Sequence, residues 1–389
     1  MAMMEIKKTW DDQRLKRDRL ARAQEQMKKR GMGAMYLCDN SVAGRYLLVQ
    51  KVPGSELFVP VEGEALAFIR GRDVGYVKKH HSNIKEPFYQ RSDARDGNNP
   101  DEIKRFGHAI LDLMKKYGLA GEVLGVDRLP SSLILSLNEA GIRLADSAPV
   151  FEHAGAVKTQ DELAIYRLIG EQYSHTMSAF QDAIRPGISE NELAAKVVTA
   201  WYEAGGEDIA QLNVCAGENM NPWSRWPTQR QVKEGEFVGI DLHGRGTHGL
   251  RGDASRTYFV GNKPTSDQRD LYKLAYNYLL GAIDVFQSGR SFAEVIEKAP
   301  AVPEKYRAQL DNYNIGHGMG LSSSGYPHLM KKRAQPDAYL EPNQLIAVEC
   351  YMGEVGSTQA VKLEEIIVIC EGKPELLRPG IPYDERLLN

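Results

Sequence analysis

Apolar positions along the chain recur with two periods, and the way these alternate changes part-way along. Residues 11–30 carry apolar side chains at helical spacing among Arg, Lys and Gln, which predicts a helix ending near Gly31. The stretches GAMYLCD, SELFVPV and EALAFIR then read as short strands. PDEIKRFGHAILDLMKKYG opens on a Pro-Asp start signal and closes on Gly118, so a helix is expected there. EVLGVDR follows as a strand and SSLILSLNEAG as another helix. Strands alternating with helices predict an α/β layer with a partly parallel sheet.

Near residue 156 the texture changes. KTQDELAIYRLIGEQYSHTMSAFQDAI begins with the capping box Thr159-x-x-Glu162 and continues helical to Ile184. Ser189-x-x-Glu192 repeats the device ahead of a second helix, and further helices are expected from near Ser266 and from Ser291-x-x-Glu294. Residues 211–261 and 345–383 are rich in strand patterns. Helices and strands segregate here, as in an α+β domain with an antiparallel sheet. Two domains are therefore expected, 1–155 and 156–389.

Composition narrows the function classes. A chain of 389 residues suffices for two cores, and a net charge of −3 gives no support for nucleic acid or an anionic membrane surface as the partner. The first twenty residues are highly charged and do not read as a secretory signal, and no run of about 18 apolar residues is present. Cys38, Cys215, Cys350 and Cys370 are far apart and read as reduced thiols of a cytoplasmic protein.

The unusual feature is acid in apolar strands. VGIDLHGRGTHGLRGDASRTY reads as a β-hairpin, yet it holds Asp241 and Asp253 with His243 and His248 between them. NIGHGMGL carries His317, LIAVECYMGE carries Glu349, and AVKLEEIIVI carries Glu364 and Glu365. A buried carboxylate without a partner is costly, and few cations lie close in sequence, among them Arg251, Arg256 and Lys362. Two divalent cations would balance Asp241, Asp253, Glu349 and Glu364. Carboxylates with one imidazole suit Mn, Fe, Co or Zn.

These residues, each in its own local motif, resemble the pita-bread metalloenzymes: creatinase, prolidase, aminopeptidase P, methionine aminopeptidase and their relatives. The resemblance implies a pita-bread catalytic domain over 156–389 and a creatinase-type domain over 1–155. It implies five metal ligands at Asp241, Asp253, His317, Glu349 and Glu364, two divalent ions, and a homodimer acting on a small molecule. Creatinase itself lacks a working metal set, so five intact ligands argue against creatinase chemistry.

Departures from the peptidases bear on the reaction. Ser224 in NMNPWSRWPTQR and Ser324 in GHGMGLSSSGYP stand where the peptidases carry histidines. A serine can donate a hydrogen bond but does not titrate near neutral pH. The Asp241–Asp253 spacing is one residue longer than in the peptidases. With Asn221-Pro222-Trp223 it is closer to a non-peptidase branch that includes the dimethylsulfoniopropionate lyase, whose base would fall on Ser323 here. That branch carries an extra acidic ligand at the place of His243. In a strand His243 shares a face with Asp241, so it is either a ligand or a hydrogen-bond partner of a neighbouring carboxylate. His248 is expected in the turn. Tyr351 shares a face with Glu349 and either donates to substrate or packs; Lys362 either binds a substrate carboxylate or balances charge. Trp223 and Trp226 either wall a substrate pocket or belong to the core. The expected activity is metal-dependent hydrolysis of an amide-type bond in a small carboxylate-bearing substrate, with Glu349 moving the proton. The alternatives are a C–S or C–N elimination and an Xaa-Pro peptidase. Segments such as 80–100 are expected to complete the pocket.

Overall fold

The computed structural model describes residues 8–38, 42–49, 52, 55–80, 89–90, 99–306, 315–321, 325–329, 338–377 and 381–389. Two compact units divide it: Asp11–Gly155, and Ala156–Asn389 together with the stretch ending at Trp10.

In the first unit the charged, helix-spaced stretch forms α1 (Asp12–Lys29), with the Asp11 side chain accepting from the Gln13 and Arg14 amides. β1 (Met32–Leu37), α2 (Val42–Leu48), β2 (Ser55–Pro60), β3 (Leu66–Ile69), α3 (Val74–His80), β4 (Tyr89–Gln90), α4 (Pro100–Lys116), β5 (Val123–Asp127), α5 (Ser131–Glu139), β6 (Arg143–Asp146) and α6 (Ala148–Ala154) follow. The strands form one sheet in the order β4-β3-β2-β1-β5-β6. β1–β5, β5–β6 and β3–β4 are parallel, while β1–β2 and β2–β3 are antiparallel. Phe106, Ile110 and Met114 of α4 and Leu133 and Leu137 of α5 pack with Tyr36, Phe58 and Leu124 of the sheet. The helices α2, α3 and α6 have no counterpart in the sequence reading. Each spans seven residues, about two turns, too few for a helical period to stand out.

The second unit opens with α7 (Gln160–Ala183) and α8 (Glu190–Glu203), each started by its capping box at Thr159 and Ser189. β7 (Asp208–Ala216), β8 (Phe237–Arg245) and β9 (Ala254–Phe259) form a three-stranded sheet. α9 (Ser266–Val285) and α10 (Phe292–Lys298) follow, then β10 (Gly316–Gly318), β11 (Gly325–Leu329), β12 (Leu345–Gly353), β13 (Ala360–Val368) and β14 (Glu375–Leu376). These last five make a sheet in the order β11-β10-β12-β13-β14, and every pair in both sheets is antiparallel. The unit is α+β. Tyr272 and Leu279 of α9, with Phe286 just after it, cover Val348, Cys350, Met352, Leu363 and Ile367.

The two sheets meet where β9 lies beside β13, and side chains there do the work of a ladder. Thr257 Oγ1 accepts from the Lys362 amide at 3.0 Å and donates to the Lys362 carbonyl at 3.0 Å. Arg256 Nη1 donates to the Glu364 carbonyl at 2.7 Å. Gly318 allows β10 to lie close to the next segment, since a Cβ there would run into the Tyr326 carbonyl.

Candidate metal centre

Register delivers the acids. On β8, Asp241 is flanked across the sheet by Asn213 of β7 and Ser255 of β9. Asp253 lies just ahead of β9, so the hairpin presents both aspartates. On the other sheet Glu349 of β12 sits directly opposite Glu364 of β13, and His317 of β10 is opposite Ala347. Two carboxylates directly opposed repel and require a cation between or beside them.

The buried ends converge. His243 places Nδ1 2.9 Å from Asp253 Oδ2 and Nε2 3.5 Å from Asp241 Oδ1. His317 Nε2 lies 3.8 Å from Asp253 Oδ2 and 3.9 Å from Glu349 Oε1. Two groups have ligand atoms close enough to share a metal ion: Asp241 with His243 and Asp253, and Asp253 with His317 and Glu364. Asp253 belongs to both.

Hydrogen bonds divide the two aspartates sharply. Asp241 Oδ2 accepts from Asn213 Nδ2 at 3.2 Å and Lys362 Nζ at 3.1 Å, and Oδ1 accepts from Ser255 Oγ at 3.0 Å. Asp253 is 1% exposed, yet among the described residues neither of its oxygens accepts a hydrogen bond. Even the close His243 Nδ1 does not meet hydrogen-bond geometry. The closest partner of Asp253 is that imidazole, and a divalent cation would satisfy the two oxygens that the imidazole leaves without hydrogen bonds. Buried carboxylates with two imidazoles are a donor set that fits a divalent first-row ion.

Electrostatics agree. Burial raises the pKa of Glu364 and the Asp253 charge raises it further, so without an ion its carboxyl is held well above the usual range. Burial opposes charge on His243, but Asp253 and Asp241 outweigh it and push its pKa up to about 11. Burial likewise opposes charge on Lys362, and Asp241, Glu364 and Glu349 hold it well above its ordinary value. An ion entering this centre therefore displaces protons.

Two expectations are corrected here, those that gave Lys362 and Tyr351 a part at the substrate. Lys362 is buried, with its ammonium 3.1, 3.2 and 3.6 Å from Asp241, Glu349 and Glu364, so it is not available to a substrate carboxylate. Tyr351 is fully buried; its hydroxyl donates to the Met220 carbonyl at 2.8 Å and stands 3.1 Å from Asn221 Oδ1, so it holds the 220–221 turn and does not reach a substrate. Glu365 points to the opposite face of β13, where the Arg256 guanidinium and the Tyr383 hydroxyl meet it: an ordinary buried ion pair.

The segment that carries Ser224 is tied down by Glu190, whose carboxylate accepts from the Ala216 and Thr228 amides, Asn219 Nδ2 and Thr228 Oγ1. Ser224 Oγ itself donates to the Trp226 carbonyl at 3.0 Å. Trp223 packs its ring edge-on to Tyr351 and against Gly239, while Trp226 is 75% exposed. His248 occupies the turn after β8 and accepts from Trp10 Nε1 at 3.1 Å. Ser323 and Ser324 lie outside the described residues, as does most of 80–100.

Three residues of the centre have no place in the sequence reading. Ser255, Asn213 and Tyr173 fix the first aspartate's strand; Tyr173 donates to the Leu242 carbonyl at 2.9 Å and accepts from the Gly244 amide at 2.7 Å. Ser255 stands two residues after Asp253, and that same-face spacing is its only local signal.

Comparison with known proteins places this arrangement. The signature of metallopeptidase family M24 matches residues 164–371, and the chain belongs to that family. It is 25% identical over 293 residues to the dimethylsulfoniopropionate lyase DddP of Roseovarius nubinhibens, covering 73% of this chain and 65% of the lyase. It is 25% identical over 265 residues to the probable dipeptidase PepE of Mycobacterium bovis, covering 66% of this chain and 69% of that one. The chain thus matches just under two thirds of the lyase's length. Among solved structures the Xaa-Pro dipeptidase from Bacillus anthracis superposes with a TM-score of 0.79 at 19% identity, over 95% of this chain and 99% of that one. The fold is the pita-bread fold. No described helix is long and apolar enough to cross a membrane.

Proposed function

We propose that this protein is a metal-dependent hydrolase that cleaves an amide-type bond in a small, carboxylate-bearing molecule. The observation that carries this reading is Asp253, a buried carboxylate without a hydrogen bond, set among His243, His317 and Glu364 in a chain of family M24. When bound there, a divalent ion supplies Lewis acidity, polarising a carbonyl oxygen and acidifying water. Asp253, His317 and Glu364 would hold it, with Glu349 beside them. Glu349 Oε2 is anchored by Lys362 Nζ at 3.2 Å, which leaves Oε1 to take a proton from the attacking water and return it to the leaving nitrogen. Ser224, tied to Trp226, offers no titratable group where the peptidases carry a histidine; that difference argues against peptides at large. Trp223 and the exposed Trp226 flank it as the surface for substrate. The homodimer expected from the resemblance and the cytoplasmic location expected from the cysteines belong to the same reading.

The test is an assay of purified protein with Mn, Fe or Zn against N-acyl amino acids and Xaa-Pro dipeptides. Metal-dependent release of amine, faster from the N-acyl acids, is expected. Turnover indifferent to chelation, or a preference for Xaa-Pro dipeptides, overturns the proposal. The likeness to the lyase supports a second reading, elimination, and acrylate release from dimethylsulfoniopropionate in the same assay would move the assignment to it.

A further inference from the structure

The family resemblance implies two ions, and the centre does not offer two equivalent places. A carboxylate that takes an ion must turn an oxygen lone pair toward it. Asp253 has both oxygens free of hydrogen bonds; Asp241 has neither. The group responsible is chiefly Lys362. Its Nζ lies 3.1 Å from Asp241 Oδ2, 3.2 Å from Glu349 Oε2, 2.7 Å from Ser255 Oγ and 3.6 Å from Glu364 Oε2. Of the three donors of the ammonium, two are spent on hydrogen bonds to Asp241 Oδ2 and Ser255 Oγ, and Glu349 Oε2 stands within ion-pair distance. Its side chain is 5% exposed, so no alternative solvated position is open to it without rearrangement of the sheet. The oxygens gathered around Nζ are drawn from Asp241, Glu349 and Glu364, and an ion seated between those same acids would meet a like charge already ion-paired with them.

The geometry points to a centre with one divalent ion, seated on Asp253, His317 and Glu364, in which the Lys362 ammonium stands as a built-in second cation. Lys362 is thus a positioning residue: it orients Asp241 and Glu349 and fixes the charge that a second ion would bring. This inference rests on the metal-dependent reading above and changes the number of ions it uses. Asp241 becomes a partner of Lys362, joined to Glu364 through Ser255, whose Oγ lies 3.0 Å from Asp241 Oδ1 and 2.9 Å from Glu364 Oε2.

Metal counting decides it without reference to turnover. The full-length protein is stripped with chelator, loaded with Mn or Zn, and analysed by plasma mass spectrometry and calorimetric titration. One equivalent per chain is expected for the unaltered protein. Asp241→Asn is expected to keep that equivalent, while His317→Ala weakens its binding about a hundredfold or more. Lys362→Met, with the ammonium gone, is expected to accept a second equivalent. Two equivalents in the unaltered protein, or loss of the ion in Asp241→Asn, overturns the inference. Should Lys362→Met fail to fold, the count on the unaltered chain and Asp241→Asn still decides. No bound metal at all overturns both this and the hydrolase reading; two ions with metal-dependent turnover overturns only this one.

Discussion

At the scale of residues, neighbours one position apart lead opposite lives. Glu364 faces the metal centre and Glu365 faces Arg256, as alternation along a strand requires. The sequence shows two adjacent acids and nothing to say which is paired with a cation of the chain. Breaking the buried pair leaves Arg256 charged and uncompensated, so Glu365→Leu is expected to lower unfolding free energy by about 3–5 kcal/mol. Denaturant unfolding would check this, and a loss below about 1 kcal/mol would show that Arg256 finds another partner. His153 offers a pH test away from the metal. Burial, and then the Arg30 charge, lower its pKa below the ordinary value. The unfolded chain therefore takes up a proton near pH 6.5 while the folded chain does not. Stability from this group is complete above that pH and declines as pH falls through it toward the lower folded value. His153→Gln is expected to reduce the stability difference between pH 7.5 and 5.5; an unchanged difference would assign that slope to other groups.

At the scale of elements, much of the fold could be read in the chain. The capping boxes at Thr159, Ser189 and Ser291 start the helices they predict, because a cap is a local agreement between residues three apart. The hairpin that brings Asp241 and Asp253 together was legible for the same reason. The place of Lys362 was not. Its chemistry depends on Asp241, Glu349 and Glu364 meeting at one nitrogen, and that meeting is set by two sheets joined through Thr257 and Arg256, which no local pattern encodes. Tyr351 was misleading in the same way: it shares the strand of Glu349, yet its hydroxyl is taken by the 220–221 turn. Gly318 puts the geometry of β10 to test. Gly318→Ala would push the strand away from the Tyr326 carbonyl and drag His317 with it, so metal affinity is expected to fall about 10–100-fold, read by calorimetric titration. Unaltered affinity would mean that the Tyr326 segment yields instead of β10.

At the scale of the whole molecule, each unit has a core of its own. One lies around Tyr36, Phe58 and Leu124 and the other around Tyr272, Phe286 and Val348. The candidate metal ligands Asp253, His317 and Glu364 belong to the second unit, so an ion bound by them would stabilise that unit directly. Scanning calorimetry is expected to show two transitions, of which added Mn moves one. At a hundredfold excess over the dissociation constant the gain is about 2.7 kcal/mol. One transition moving as a whole would mean that the units unfold together.

The adjacent acids of β13 have a consequence for how the strand finds its place. An acid stands on both faces, so a slip by one residue toward the centre would still present a carboxylate there, Glu365 in place of Glu364. The error is betrayed elsewhere: Arg256 would then face Ile366, and Leu363 would stand where Lys362 belongs. A buried guanidinium against an isoleucine is heavily penalised. Arg256, on the face turned away from the metal ligands, is thereby the chain's proofreader, rejecting the one misalignment that the acids alone would let pass.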